Sequence, residues 1–137
     1  MKKNRRFLDS LYTIESTGRD NSCDKAIIRI LLNPLHEIFR GHFPGNPILP
    51  GACTVQILKE LVEYVSGKDL MISDAGTIKY ISFINPEEFR LLDIDLQLKE
   101  IERGRLFCNA SVYSGEKTFC SFRGTFIPVA GIKAHIG

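Results

Sequence analysis

Leu92, Ile94, Leu96 and Leu98 alternate with Asp93, Asp95, Gln97 and Lys99. A period of two sends one set inward and the other to water, the pattern of a half-buried antiparallel strand. Ile78, Tyr80, Ser82 and Ile84 alternate in the same way with Thr77, Lys79, Ile81 and Phe83, until Pro86 ends the run. Residues 105–113 and 117–127 form two further runs around Ser114-Gly115, a tight-hairpin signal. Residues 8–17 and 24–32 predict two short strands flanking the turn-prone GRDNS of 18–22. The period changes after Pro50. Ala52, Val55, Leu58, Leu61, Val62 and Val65 recur every three or four residues, and Gly67 supplies the stop. Gln56, Lys59, Glu60 and Glu63 make a narrow polar stripe on that helix, while Ile57 and Tyr64 widen its apolar part, so most of it should be enclosed. The predicted order is two strands, a loop, one long helix and four strands. An α+β arrangement satisfies it, with a curled antiparallel sheet around one central helix.

Composition narrows the class without changing the architecture. The 137 residues suit a single domain over 1–137, with 1–7 and 129–137 expected as loose tails. No apolar run reaches the roughly 18 residues that a membrane span needs. The basic start MKKNRRFLDSLY is followed by no apolar segment or small-residue cleavage site of a secretory leader. A net charge of +2 is too mild for nucleic-acid binding. Lys2, Lys3, Arg5 and Arg6 read either as a solvated tail or as a docking point for an acidic partner. Cys23, Cys53, Cys108 and Cys120 lack metal-ligand spacing, which favours reduced thiols in a cytoplasmic protein and no metal. A cross-hairpin Cys108–Cys120 disulfide is the minor alternative.

The chemistry concentrates in GHFPGNPILPGACTVQILKE, residues 41–60. Pro44 and Pro47 fix their φ angles, so His42 sits on a chain with few conformations, as a proton-transfer residue requires. Pro50 and Gly51 open the helix. Backbone N–H groups at Gly51 and Ala52 lack helical acceptors and can face a developing oxyanion. Phe39, Phe43, Phe83 and Phe89 would suit a greasy chain or simply pack a core. For His42 itself, a general base and a backbone-bonded loop histidine both remain open. His36 and His135 read as structural and tail residues.

Residues 41–51, GHFPGNPILPG, resemble the signature of the β-hydroxyacyl-ACP dehydratases, a hotdog-fold family of fatty-acid synthesis. Phe39 and, more weakly, IKYISFINPEEFRLLDIDL (78–96) extend the likeness, which covers about residues 8–127. The resemblance implies a lyase that removes water from a 3-hydroxyacyl thioester on acyl carrier protein, giving the trans-2-enoyl thioester without a cofactor. It implies that His42 takes the proton beside the thioester carbonyl and that Gly51 N–H steadies the oxygen. Ala52, Phe43 and Pro50 would shape the substrate site. It further implies a dimer whose histidine and acid come from different subunits.

The family's acid falls at position 56, and here that residue is Gln56. An amide can hydrogen-bond a hydroxyl but has no proton to give. Glu60 lies on the same helical face, about 6 Å further along the axis. Four readings follow: a dehydratase using Glu60 or a Gln56-held water, one half of a heterodimer whose partner brings the acid, a non-catalytic acyl-ACP binder, or a hotdog thioesterase. Expected partners are acyl carrier protein and a second hotdog subunit. Arg40, Lys79, Arg90 and Arg123 are docking candidates or plain surface charge. Chain length, pathway and any assembly beyond a dimer have no signature in the sequence.

Overall fold

The computed structural model describes residues 6–20, 25–40 and 45–129. Six strands form one antiparallel sheet in the order β1-β2-β4-β5-β6-β3. They are β1 (Tyr12–Asp20), β2 (Lys25–Leu32), β3 (Leu70–Tyr80), β4 (Leu91–Glu100), β5 (Leu106–Ser114) and β6 (Lys117–Pro128). One helix, α1 (Gly51–Ser66), lies between β2 and β3 in the chain. Ile28 and Ile30 of β2, Leu92, Ile94 and Leu96 of β4, Ala110 and Val112 of β5, and Phe122 and Phe126 of β6 are buried with Ile57, Leu58, Leu61 and Val62 of α1. Period two on the strands and period 3.6 on the helix therefore meet in one core. The left-handed Gly67, φ 72, ends α1 by donating its N–H to Glu63 O.

The structure departs from the predicted boundaries in three places. β1 starts at Tyr12 rather than at residue 8 and runs on to Asp20, across the start of the expected turn. Residues 6–11 instead fold back, and Phe7, expected in a loose tail over 1–7, is buried, while residues 1–5 lie outside the described residues. β3 begins at Leu70, directly after the helix, and stops at Tyr80. Its register slips at Ile72/Asp74 and Gly76/Thr77, which breaks the alternation that a sequence reading depends on. Gly76 has φ 57, and a Cβ there would lie 2.4 Å from Arg123 O. Gly76→Ala should therefore cost roughly 2–4 kcal/mol, read as a lower urea midpoint, because backbone on both sides would have to move.

The hairpin register pairs Cys108 with Gly124 and Cys120 with Val112, so those thiols do not face each other. Cys53, Cys108 and Cys120 are free and buried, and Cys23 lies outside the described residues. Burial pushes the Cys108 thiol from 9.0 up to about 12. The folded chain keeps this proton while the unfolded chain releases it, so the associated stability is intact below pH 9.0 and lost as the pH rises toward about 12. A denaturation series across that range should show a steeper alkaline decline for the wild type than for Cys108→Ala.

Candidate active site

The chain reaches α1 through Pro47, Leu49 and Pro50; the prolines have no N–H to give a sheet, and Leu49 donates its own to Ile84 O at 2.9 Å. Pro50, at φ −60 and ψ 143, is the N-cap and brings no side-chain hydrogen bond. Cys53 and Thr54 donate to Pro50 O at 3.0 and 3.2 Å. The N–H groups of Gly51 and Ala52 precede these first helical bonds and carry the positive end of the helix dipole. Pro50 and Gly51 form one wall of an apolar cleft of about 540 Å³. Thr54, Tyr80, Phe83, Ile84 and Phe119 line much of the remainder.

Tyr80 is a cleft residue that the sequence reading had placed only in an alternating strand. Its ring lies against the Gly51 Cα, where a Cβ would come within 2.7 Å of Tyr80 Cζ and 3.0 Å of its Oη. Burial, with a smaller contribution from nearby Cys120, holds the phenol above its ordinary value of 10.0. Phe83 is 76% exposed and Ile81 59%, so the cleft has a large apolar rim open to solvent. The ring of Tyr80 can swing outward, so Gly51→Ala should change stability by less than about 1 kcal/mol. The displaced ring would nevertheless reshape the cleft mouth, and turnover of a substrate seated there should fall by about 10- to 100-fold. Thermal melts and kcat/KM measured side by side would check this.

The predicted site residues do not all converge. His42 and Phe43 lie outside the described residues. Gly51 and Pro50 line the cleft, whereas Ala52 is exposed and Gln56 half-buried, and neither lines it. At 100° per residue, Gln56 points about 200° around α1 from Thr54, on the opposite side of the helix. A single chain therefore does not bring its own position 56 to its own cleft. Phe39 is buried in the core and Phe89 packs edge-on to Phe119 at 5.0 Å. His36 is structural, its Nδ1 accepting the Ile38 N–H at 3.0 Å to cap a short 3-10 turn.

Glu60 and Glu63 belong to the stripe read as polar, yet both are fully buried. Glu63 Oε2 accepts the Leu70 N–H at 2.8 Å and the Lys59 ammonium at 3.2 Å, which ties the helix end to the start of β3. Glu60 is the more connected of the two. Its Oε1 accepts the Leu8 N–H at 2.9 Å and the Tyr12 hydroxyl at 3.1 Å. Its Oε2 accepts the Gln56 amide at 2.8 Å, and the Phe7 N–H bridges both oxygens at 3.2 and 3.1 Å. Four donor groups thus converge on one carboxylate, which is how a buried carboxylate is accommodated. Sequence offered no signal for the three donors other than Gln56, because Phe7, Leu8 and Tyr12 lie about fifty residues from Glu60 in a segment without strong periodicity. Among the described residues, no three His, Cys, Asp or Glu side chains group to hold a metal. No described helix is long and apolar enough to cross a membrane.

One enclosed helix held by a curled antiparallel sheet defines a hotdog domain. A model of the ApeI-like family, described as ApeI dehydratase, matches residues 18–123, and the chain belongs to that family. It is 31% identical to a 3-hydroxyacyl-[acyl-carrier-protein] dehydratase FabZ of Levilactobacillus brevis, over 90% of this chain and 83% of that one. The FabZ of Lactobacillus helveticus is 29% identical over 66% of this chain and 65% of the relative. Among solved structures, the dehydratase heterocomplex ApeI:P from Xenorhabdus doucetiae superposes with a TM-score of 0.66 at 18% identity, covering 83% of this chain and 96% of that one. A hypothetical thioesterase with coenzyme A from Streptococcus pneumoniae gives 0.63 at 16% identity, covering 93% and 96%. These two likenesses bear on the fold.

Proposed function

We propose that this chain dehydrates a 3-hydroxyacyl thioester carried on acyl carrier protein to the trans-2-enoyl thioester, in fatty-acid or polyene-type lipid synthesis. The observation that carries this reading is the uncapped start of α1, with Gly51 against the apolar cleft. A thioester oxygen placed there meets N–H donors and the helix dipole, both of which favour the negative charge that develops as the neighbouring proton is removed. His42 is the base in this reading, and the cleft takes the acyl chain. Exposed Arg40, Lys79, Arg90 and Arg123 are available to an acidic carrier. The three free buried cysteines suit a cytoplasmic setting.

A second hotdog subunit completes the site on this reading. Gln56 points away from its own cleft, and Glu60, with both oxygens accepting hydrogen bonds, is poorly suited to give up a proton. Those two features favour an assembly in which an acid-bearing partner faces His42 over the alternative of Glu60 as a relocated acid. The test is incubation of the purified chain with a 3-hydroxyacyl-ACP, alone and with a candidate partner, following loss of water by mass spectrometry. His42→Ala should abolish turnover in either mixture. Turnover unaffected by His42→Ala would sink the base assignment, and turnover by the chain alone that is lost only in Glu60→Gln would restore Glu60 as the acid.

A further inference from the structure

The pair Gln56–Glu60 has a defined polarity. Glu60 is met by two backbone N–H groups and a phenol besides Gln56, so what it receives from position 56 must be the amide nitrogen. Gln56 Nε2 is therefore turned along the helix toward Glu60, and its Oε1 has no donor among the described residues. A glutamine without this neighbour could present either end of its amide. This one is set as an acceptor.

We propose that Glu60 is a positioning residue that locks Gln56 with its carbonyl oxygen outward, so that position 56 recognises the substrate's 3-hydroxyl by accepting its hydrogen bond. The inference rests on the dehydratase reading above, with the added premise that position 56, turned away from its own cleft, faces the acyl chain held by a neighbouring subunit. A 3-hydroxyacyl chain carries a donor at that carbon, whereas saturated and enoyl chains carry none. The locked acceptor thus selects the hydroxylated chain over the dehydrated product. It does so without assisting departure of the oxygen, because an acceptor adds no proton to a leaving hydroxide. Glu60→Gln should reverse the polarity, since the new amide can donate to Gln56 Oε1 and turn the Gln56 nitrogen outward.

The experiment measures binding of 3-hydroxyoctanoyl- and octanoyl-pantetheine analogues with nitrogen in place of the thioester sulfur, which slows α-proton removal. Isothermal titration uses the full chain in its assembled state. The wild type should favour the hydroxylated analogue by about 3- to 10-fold, the usual worth of one net hydrogen bond. Glu60→Gln and Gln56→Leu should each bring the ratio to about one, while a general loss of packing would weaken both analogues alike and leave the ratio intact. If Glu60→Gln does not fold, the wild-type Gln56 side-chain amide resonance, assigned by its absence in Gln56→Leu, should still show a proton shifted downfield by the carboxylate. An unshifted resonance, a wild-type ratio of one, or a ratio unchanged in both variants overturns the inference and leaves the dehydratase reading standing. Failure to bind either analogue overturns both.

Discussion

Gln56→Glu should raise the dehydration rate of the purified chain by about 10²–10⁴-fold, the usual contribution of a positioned general acid, where a second copy brings its position 56 to the cleft. The size of the gain follows from the neighbour. In the wild type, Gln56 Nε2 and Glu60 Oε2 are 2.8 Å apart, with a proton between them. A glutamate at 56 puts two carboxyl oxygens in that place, and they can share the contact only if one retains a proton. Glu60 already accepts from Phe7, Leu8 and Tyr12, so the proton belongs on the new Glu. That proton faces Glu60, so the new Glu acts as an acid by turning it outward to the leaving hydroxyl. The variant's rate profile should gain an alkaline limb above the ordinary glutamate range. Initial rates of enoyl formation across pH, with His42→Ala as the blank, would measure it. No gain in a folded Gln56→Glu protein that still depends on His42 would mean that position 56 does not face the substrate.

How much of this was legible beforehand depended on the strength of local signals. The helix from Gly51 to Ser66 was readable because period 3.6, a leading proline and a terminal glycine all agree. Strands β4, β5 and β6 were readable because inward and outward positions alternate without interruption over eight or more residues. β3 was half missed, since its two register slips shift the inward set and its first residues sit too close to the helix to stand out. The turn chemistry of residues 6–11 was missed for a different reason. Leu8, Tyr12 and Ile14 fall at even spacings and mimic one continuous strand there, but the backbone N–H groups of Phe7 and Leu8 turn inward to a carboxylate more than fifty positions later. For the site, Gly51 was recoverable from its place in the motif, while the ring of Tyr80 against it was not. A contact between two residues twenty-nine positions apart has no periodicity to announce it.

Glu60→Ala should destabilise the fold by about 3–5 kcal/mol, a large share of the roughly 5–15 kcal/mol typical of a domain. The substitution removes the carboxylate acceptor of the Phe7 and Leu8 N–H groups, the Tyr12 hydroxyl and the Gln56 amide at once. Phe7 and Tyr12 are buried, so water reaches those donors only if residues 6–12 detach. The expected loss is below the sum of four lost hydrogen bonds for that reason: the segment peels away and part of the cost is relieved. Tyr12→Phe removes one donor and should cost about 1 kcal/mol by itself, but less in a chain already carrying Glu60→Ala. Urea titrations of the two single variants and the double variant, compared at constant m, give that coupling directly. The same set separates the roles available to Glu60. A carboxylate kept for proton donation would leave the urea midpoint near the wild type when removed and lower only kcat. A carboxylate that fastens the N-terminal segment to α1 moves the midpoint first, and it makes the effect of Tyr12→Phe depend on its presence.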